Sequence, residues 1–437
     1  MHKPTIVAPG WSYEKAMVAS HYGAEEVYVG VPFTSLRMRQ NKILNFADLK
    51  KTVDDLHKNG SKALLTMNIF PRNADIEIFE KTVEQIADVW ADAIIFSDPG
   101  TFHIIRKYMP KIPLHLSTQS STMNRAAVKF WKDMGIKRIV FARELNIEEI
   151  KEIREKVPGM EIEVFVHGAM CMSYSWRCLL GDYMSWRPGN KGECSHACRF
   201  KYKVWLEEER RPGKLFQLEW DESWSHILSS KDLCTIDKLK EIIPYVDAIK
   251  IEGRSKSEFY VGAIVKAYKH VRDAIIEWKK IDENVANLVN VIPHRAYRDG
   301  FLFNQLSDYP ENESPSPSLP KRESQLETSF AKGGNEGGFV GSTTLDSAWP
   351  LFNRNYFGMF SDQYIEKNKK KYFHIEPKEV ITPGMKIKYL SPHEMGELKI
   401  VDILDAKGNQ MEKAHCNSGP VYMLTDKKLE GREILYE

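Results

Sequence analysis

The chain has 437 residues, more than one compact core usually holds, so roughly two or three domains are expected. Apolar residues make up 42%, ordinary for a globular protein, and 62 lysines and arginines nearly balance 60 aspartates and glutamates. That balance excludes a bulk polyanion binder and leaves room for a local basic face that docks a folded RNA.

The N-terminus "MHKPTIVAPG" runs straight into a strand, with no apolar signal region and no small-residue cleavage site. No apolar run approaches the roughly 20 residues of a membrane helix. Both observations point to a cytoplasmic protein without membrane contact. In that compartment clustered cysteines serve more often as metal ligands or redox groups than as disulfides.

Over the first 255 residues a unit repeats: a short apolar run, a turn, then an amphipathic helical stretch. The eight runs are "TIVAPG", "EEVYVGV", "KALLTMNIF", "ADAIIFSDPG", "IPLHLSTQSS", "KRIVFAREL", "EIEVFVHG" and "VDAIKIEGR". Each is rich in Val, Ile, Leu or Phe, as parallel strands buried on both faces should be. Between them, "NFADLKKTVDDLHKNG" reads as a helix capped by Asn45 and stopped by Gly60. In "NIEEIKEIREKVPG" acidic residues open a helix and Pro158-Gly159 ends it. Eight such units predict a TIM-like (β/α)8 barrel. The rival doubly wound sheet would prefer a Gly-rich phosphate loop after the first strand, and "APGWSYEKA" is not one.

In such a barrel the chemistry sits where strands end. Polar residues at those ends are Asn68, Asp98, Gln119, Arg143, Glu144, His167, Glu252 and Arg254. Each alone is also what a structural hydrogen bond or an ion pair under a loop requires. Their convergence on one rim marks the candidate site.

The seventh unit is abnormal. About eighty residues, at about 168–245, separate "EVFVHG" from "VDAIKIEGR", far beyond a normal connection. Within this insertion "KYKVWLEEERRPGKLFQLEWDESW" reads as two strands joined by an "RPGK" turn. After the eighth run, "SKSEFYVGAIVKAYKHVRDAIIEWKK" reads as a long amphipathic helix that closes a barrel domain spanning 1–305. Residues 306–337 have the Pro/Ser-rich composition of a linker. In 338–437, "GGFVGSTTL", "KYFHIEP", "GMKIKYLSP", "GELKIVDILD" and "GPVYMLTD" are short strands that predict a small C-terminal β-barrel.

The insertion also holds five of the six cysteines. Cys171, Cys178, Cys194 and Cys198 have the spacing C-x6-C-x15-C-x3-C, Cys234 follows in "SSKDLC", and Cys416 stands apart as a small packed thiol. Four readings are open: buried spectator thiols, disulfides, structural zinc, or an iron-sulfur cluster. Zinc prefers close pairs, and only Cys194 and Cys198 are close. A cluster takes thiolates and tolerates wide spacing.

At these residues the chain resembles a known family. "EVFVHGAMCMSYSWRCLL" is similar to the signature of the collagenase-like peptidases of unknown catalytic type, family U32, through Glu163, Phe165, Gly168, Ala169, Met170, Cys171 and Cys178. Trp176 stands where that family usually has Gly, and Gly181 where it usually has Ser. "HLSTQSSTMN", "FSDPG", "RELNIEEI", "NKGECSHACRFKY", "SSKDLC", "IKIEGRSKSEFYV" and "HRAYRDGFLF" extend the resemblance through residue 305. Within the family the chain looks most like the tRNA uridine hydroxylation branch. That resemblance implies oxygen-independent hydroxylation of carbon five of the anticodon wobble uridine, with prephenate as co-substrate and a 4Fe-4S cluster as cofactor. Related branches act on a ribosomal RNA cytidine or on ubiquinone precursors. Cys171, Cys178 and Cys194 match cysteines across branches, and the fourth ligand falls at Cys198 in some and Cys234 in others. The implied partners are the anticodon loop of tRNA, a small dicarboxylate, and a paralogous subunit or second copy.

The family name leaves a peptidase, a hydrolase, as the alternative. The residues support it poorly. There is no Gly-x-Ser-x-Gly elbow, and "PHEMGE" lacks the second histidine of a zinc-peptidase helix. His167 lies four residues before Cys171, a base-nucleophile pairing that stays open. Hydroxylation uses more of the features. Tyr174, Trp176, Tyr183 and Trp186 are candidates to stack on an unstacked base, or to pack the cysteine loops. Arg177, Arg187, Lys191, Arg199 and Lys201 suit phosphates, or an ordinary solvated surface. Arg143 and Arg254 suit the two carboxylates of prephenate.

Overall fold

A computed structural model describes residues 2–36, 41–171, 173–175, 177–185, 187, 189, 193–194, 197–199, 205–207, 215–217, 231–295, 297–303 and 356–437. Strand and helix alternate from the start: β1 (Thr5–Gly10), α1 (Tyr13–His21), β2 (Glu26–Gly30), α2 (Phe46–Lys58), β3 (Lys62–Met67), α3 (Ile76–Ile86) and β4 (Ala93–Phe96). The pattern continues with α4 (Pro99–Tyr108), β5 (Leu114–Leu116), α5 (Arg125–Asp133), β6 (Arg138–Val140), α6 (Ile147–Lys156) and β7 (Glu161–Ala169). After β7 come α7 (Leu180–Ser185), β8 (Trp205–Glu207), β9 (Leu215–Gln217), β10 (Asp232–Cys234) and α8 (Leu239–Ile242). Then follow β11 (Ala248–Ile251), α9 (Glu258–Glu277), α10 (Glu283–Ala286), α11 (Leu288–Val291) and β12 (Tyr297–Arg298).

β1 to β7 pair in order and in parallel, and β11 pairs with both β1 and β7. This closes the eight-stranded barrel that the eight apolar runs predict. The two faces of each strand divide the labour. Ile6, Val27, Leu65, Leu116, Ile139, Val164 and Ile249 join the main core shared with the helices. Their neighbours Val7, Tyr28, Leu64, Ile95 and Ala248 form a separate cluster on the other face, inside the barrel. The caps predicted for α2 are present, and α6 has one that the sequence reading did not name. The Asn45 side chain accepts from Asp48 N, Gly60 takes φ +82°, and Asn146 with Glu149 forms a capping box.

The insertion departs from expectation in one respect. β7 is nine residues long and its end pairs antiparallel with β10, which in turn pairs with β12. The "SSKDLC" segment therefore returns to the barrel wall. β8 and β9 form the expected antiparallel pair. The "RPGK" turn between them, the linker 306–337 and the "GGFVGSTTL" strand lie outside the described residues.

The C-terminal strands are β13 (Tyr356–Lys367), β14 (Lys370–Ile375), β15 (Lys386–Leu390), β16 (Met395–Asp405), β17 (Val421–Thr425) and β18 (Ile434–Tyr436). They close into the predicted small barrel in the order β13-β14-β17-β16-β15-β18. Sequence reading misses two of them. In β13, Gly358 and the Ser361-Asp362 pair break the apolar pattern, and a register shift between Phe360 and Tyr364 absorbs the break. β18 has only three residues. The small barrel docks on α9: Phe259 stacks on Tyr356 and Tyr436, and Lys266 Nζ donates to the Ser391 carbonyl at 2.6 Å. Among the described residues no helix is long and apolar enough to cross a membrane.

Candidate active site at the barrel mouth

Inward positions on the strands carry charge as well as apolar groups. Lys250 Nζ lies 2.6 Å from Glu163, Glu163 lies 3.1 Å from Arg138, and Arg138 also binds Glu26 and Glu161. Glu163 is fully buried. Burial alone would raise its pKa, but Lys250 and Arg138 outweigh that and hold the carboxyl below its ordinary range. This chain of pairs leads upward to Lys250, which also lies over the Tyr28 ring at 4.5 Å.

Above it is a narrow cavity that opens to solvent. Asn68, Arg143, Glu252 and Arg254 line it together, as expected from the strand-end rule, with Tyr28, Ser117, Thr118, Phe165 and Lys250. Three cations therefore face one carboxylate. Arg143 lies 4.0 Å over the Phe165 ring, and Arg254 lies 4.6 Å over Trp11. Stacking by the face leaves the in-plane N–H groups of Arg143 directed away from the Phe165 ring. Arg143 Nε is buried with no hydrogen-bond partner among the described residues. The site thus holds an uncommitted donor on a charged group, a strong anion lure.

Glu252 is placed by a glycine. Gly168 has φ +115°, and a Cβ there would sit 2.7 Å from the Glu252 carbonyl oxygen. The close approach lets Ala169 N donate to Glu252 Oε2 at 3.4 Å.

Four expected site residues stand elsewhere. Asp98 caps α4, accepting from Gly100 N and Thr101 N, so its carboxylate serves the helix rather than the cavity lining. Gln119 is fully buried behind the rim, with Oε1 accepting from Ser97 Oγ at 2.9 Å. Glu144 is absent from the lining; burial raises its pKa, and its Oε2 has no hydrogen-bond partner among the described residues. His167 is buried among Tyr260, Tyr268 and Tyr297, with ring centroids 5.8, 5.5 and 5.4 Å away. Burial pushes its pKa down to about 3, so it is a neutral ring. Its Nδ1 faces the Tyr268 hydroxyl at 3.4 Å and its Nε2 has no partner among the described residues, so it makes no hydrogen bond to Cys171.

Cys171, Cys178, Cys194 and Cys198 lie in the insertion that follows β7. No disulfide joins them and each is half-buried. A Cβ at Gly189 would lie 3.6 Å from the Cys178 carbonyl and 3.8 Å from Cys194 Cβ, so these two loops meet there. Cys198 lies in the 3-10 turn Ala197–Arg199, which packs against α7. Leu180 N donates to Cys178 Sγ at 3.4 Å. Cys234 is set apart on β10, 3.8 Å from the Tyr268 hydroxyl, and burial pushes its thiol up to about 11. The donor chemistry of this insertion lobe suits a thiolate-bound cluster. Among the described residues, however, no three His, Cys, Asp or Glu groups stand close enough to form a metal cage.

The lobe touches the rim. Arg177 Nε donates to the Gln119 carbonyl at 3.0 Å, and its guanidinium lies 4.8 Å over Phe70. Arg187 Nε likewise donates to the Glu193 carbonyl. Both arginines thus use Nε to brace the lobe. Tyr174 and Tyr183 are 51% and 88% exposed, available as stacking surfaces. Trp176, Trp186, Lys191 and Lys201 lie outside the described residues, and of Arg199 only the backbone is described.

Sequence reading missed Ser117, Thr118 and Lys250. Lys250 had a usable signal: one lysine between isoleucines in a buried strand must find a carboxylate.

The family model described as peptidase family U32 matches residues 11–311. The chain belongs to that family. It is 35% identical over 350 residues to tRNA hydroxylation protein P of Escherichia coli strain K12, covering 71% of this chain and 77% of the relative. It is 34% identical over 379 residues to tRNA hydroxylation protein P of Haemophilus influenzae, covering 77% and 82%. It is also 33% identical over 277 residues to the 23S rRNA 5-hydroxycytidine C2501 synthase of Escherichia coli, covering 63% of this chain and 40% of that one. In this U32 member the base-nucleophile pair that a cysteine peptidase would need is not assembled, since His167 faces Tyr268.

Proposed function

We propose that this chain hydroxylates carbon five of the wobble uridine of tRNA without molecular oxygen. It takes prephenate in the barrel-mouth cavity and holds a 4Fe-4S cluster on Cys171, Cys178, Cys194 and Cys198. The observation that carries the reading is the cavity itself, where three cations face one carboxylate beside a lobe of thiols. The names of the similar relatives, two for tRNA and one for ribosomal RNA, support an RNA pyrimidine as substrate.

The residues divide the work. Arg143 and Arg254 bind the carboxylates of prephenate edge-on, with aromatic faces behind them. Lys250 sets the floor and stays in place through Glu163. Tyr174 and Tyr183 take the faces of unstacked bases; a wobble base in a loop is already exposed, so presenting it costs little. Replacing C5–H by C5–OH is a two-electron oxidation, and a cluster held on these thiolates would carry those electrons or activate the hydroxyl donor. Cys198 is the fourth ligand in this reading because it shares the α7 lobe, while Cys234 faces Tyr268.

The test is complementation under anaerobic growth, with tRNA nucleosides read by mass spectrometry. Arg143→Ala and Arg254→Ala are each expected to lower 5-hydroxyuridine-derived nucleosides by about tenfold or more, the usual cost of a lost charge-assisted contact. Full modification in both variants would remove the carboxylate clamp from the account.

A further inference from the structure

Arginines account for the acidic groups of a bound dicarboxylate, but they occupy only part of the cavity. Asn68 and Thr118 line the same space and follow β3 and β5. In the barrel these strands lie across from β11, which leads to Arg254. Ile95 on β4, Val140 on β6 and Phe165 on β7 complete the lining. Arg143, which follows β6, stands next to the Thr118 side, so the neutral donors after β3 and β5 lie beside one guanidinium and across from the other.

The neutral groups have hydrogen bonds to give. Thr118 is 5% exposed, and its Oγ1 is buried with no hydrogen-bond partner among the described residues. Asn68 is 1% exposed. Its Oδ1 accepts from Leu36 N at 3.2 Å, but among the described residues its Nδ2 reaches only Ser117 Oγ, at 3.4 Å, and an amide nitrogen carries two N–H groups. The wall is held rigidly. Ser97 Oγ lies 3.2 Å from the Asn68 carbonyl and 2.9 Å from Gln119 Oε1, and Ser120 Oγ donates to the Ser97 carbonyl at 2.8 Å. A buried hydroxyl left without a partner destabilises the empty protein. A ligand oxygen is the partner that removes that cost.

We propose that Thr118 and Asn68 read a neutral oxygen, a keto or hydroxyl group, on the dicarboxylate whose acid groups Arg143 and Arg254 hold. These two residues then select such a ligand over plain dicarboxylates. An uncharged hydroxyl and amide suit an uncharged acceptor, because an anion gains more from a guanidinium than from either. A site built to hydrogen-bond one oxygen also rejects analogues that lack it, since they leave its polar groups unpaired. Prephenate, with its keto and hydroxyl groups, belongs to this chemical class. The inference rests on the dicarboxylate reading given above.

The test is calorimetric titration of the full chain, purified without oxygen, with prephenate and with succinate, which has neither keto nor hydroxyl group. The readout is the ratio of the two affinities, which a general loss of folded protein does not move. Thr118→Val keeps the shape and removes the hydroxyl. It is expected to weaken prephenate by about tenfold, to leave succinate unchanged, and to melt no lower than the parent. Asn68→Asp keeps the acceptor for Leu36 N, removes the donor, and should lower the same ratio. An unchanged ratio in both variants, within about twofold, overturns the assignment while the carboxylate clamp stands. A parent protein that binds neither compound at millimolar concentration overturns both.

Discussion

Cys171→Ala is expected to abolish tRNA hydroxylation in cells and to leave the anaerobically purified protein without iron. Cys171 follows directly on β7 and is half-buried, outside the two main cores. Its removal therefore costs the fold little. Losing an outer-sphere partner of a metal ligand already lowers affinity by about 10- to 100-fold, and losing the ligand itself should exceed that. Cys198→Ala should behave the same way. Cys234→Ala should keep its iron, because that thiol faces Tyr268 on β10. Cys416 is exposed on the small barrel and not packed as the sequence suggested, so Cys416→Ala is the control that should change nothing. Iron and acid-labile sulfide per chain, read with melting temperature, check all four. Iron retained by Cys171→Ala, or lost by Cys234→Ala and not Cys198→Ala, would contradict the ligand set.

The largest effect on stability is expected at Glu163. Glu163→Ala leaves Lys250 buried without its carboxylate and strips Arg138 of one of three. Stranding one member of a buried ion pair typically costs about 3–5 kcal/mol. Arg138 keeps Glu26 and Glu161, so the cost falls mainly on Lys250. Glu163→Ala combined with Lys250→Met should recover most of the loss, because no buried charge is then uncompensated. Urea denaturation at neutral pH measures both. A loss below about 1 kcal/mol in the single variant would mean that Lys250 finds another partner or sheds its proton. Since Lys250 floors the cavity, the single variant should also bind prephenate more weakly.

The barrel was legible because its strands are buried on both faces and so read as apolar runs. Its helices announced themselves through Asn45 and Gly60 in α2 and through the acidic first turn of α6. What pairs with what inside the barrel was not legible. Glu163 meets Lys250 across 87 positions and Arg138 meets Glu26 across 112, and no local pattern records such partners. At the rim, the strand-end rule found Asn68, Arg143, Glu252 and Arg254, because it asks only where a strand stops. It could not tell a lining residue from a cap. For Asp98 the distinction was in the sequence: Asp followed by Pro is the signature of a helix start, with Pro99 in the first turn. His167 misled because closeness in sequence to Cys171 says nothing about where a strand residue's ring points. Thr118 escaped because an unpartnered hydroxyl is a property of the packed structure alone.

The measurement that bears most directly on this account is the 5-hydroxyuridine content of tRNA from cells grown without oxygen, with and without this chain. Wobble-position 5-hydroxyuridine and its derivatives should vanish when the chain is removed and return with the parent sequence, but not with Cys171→Ala. The same nucleosides at parental levels in cells without the chain or any relative of it would contradict the proposed function.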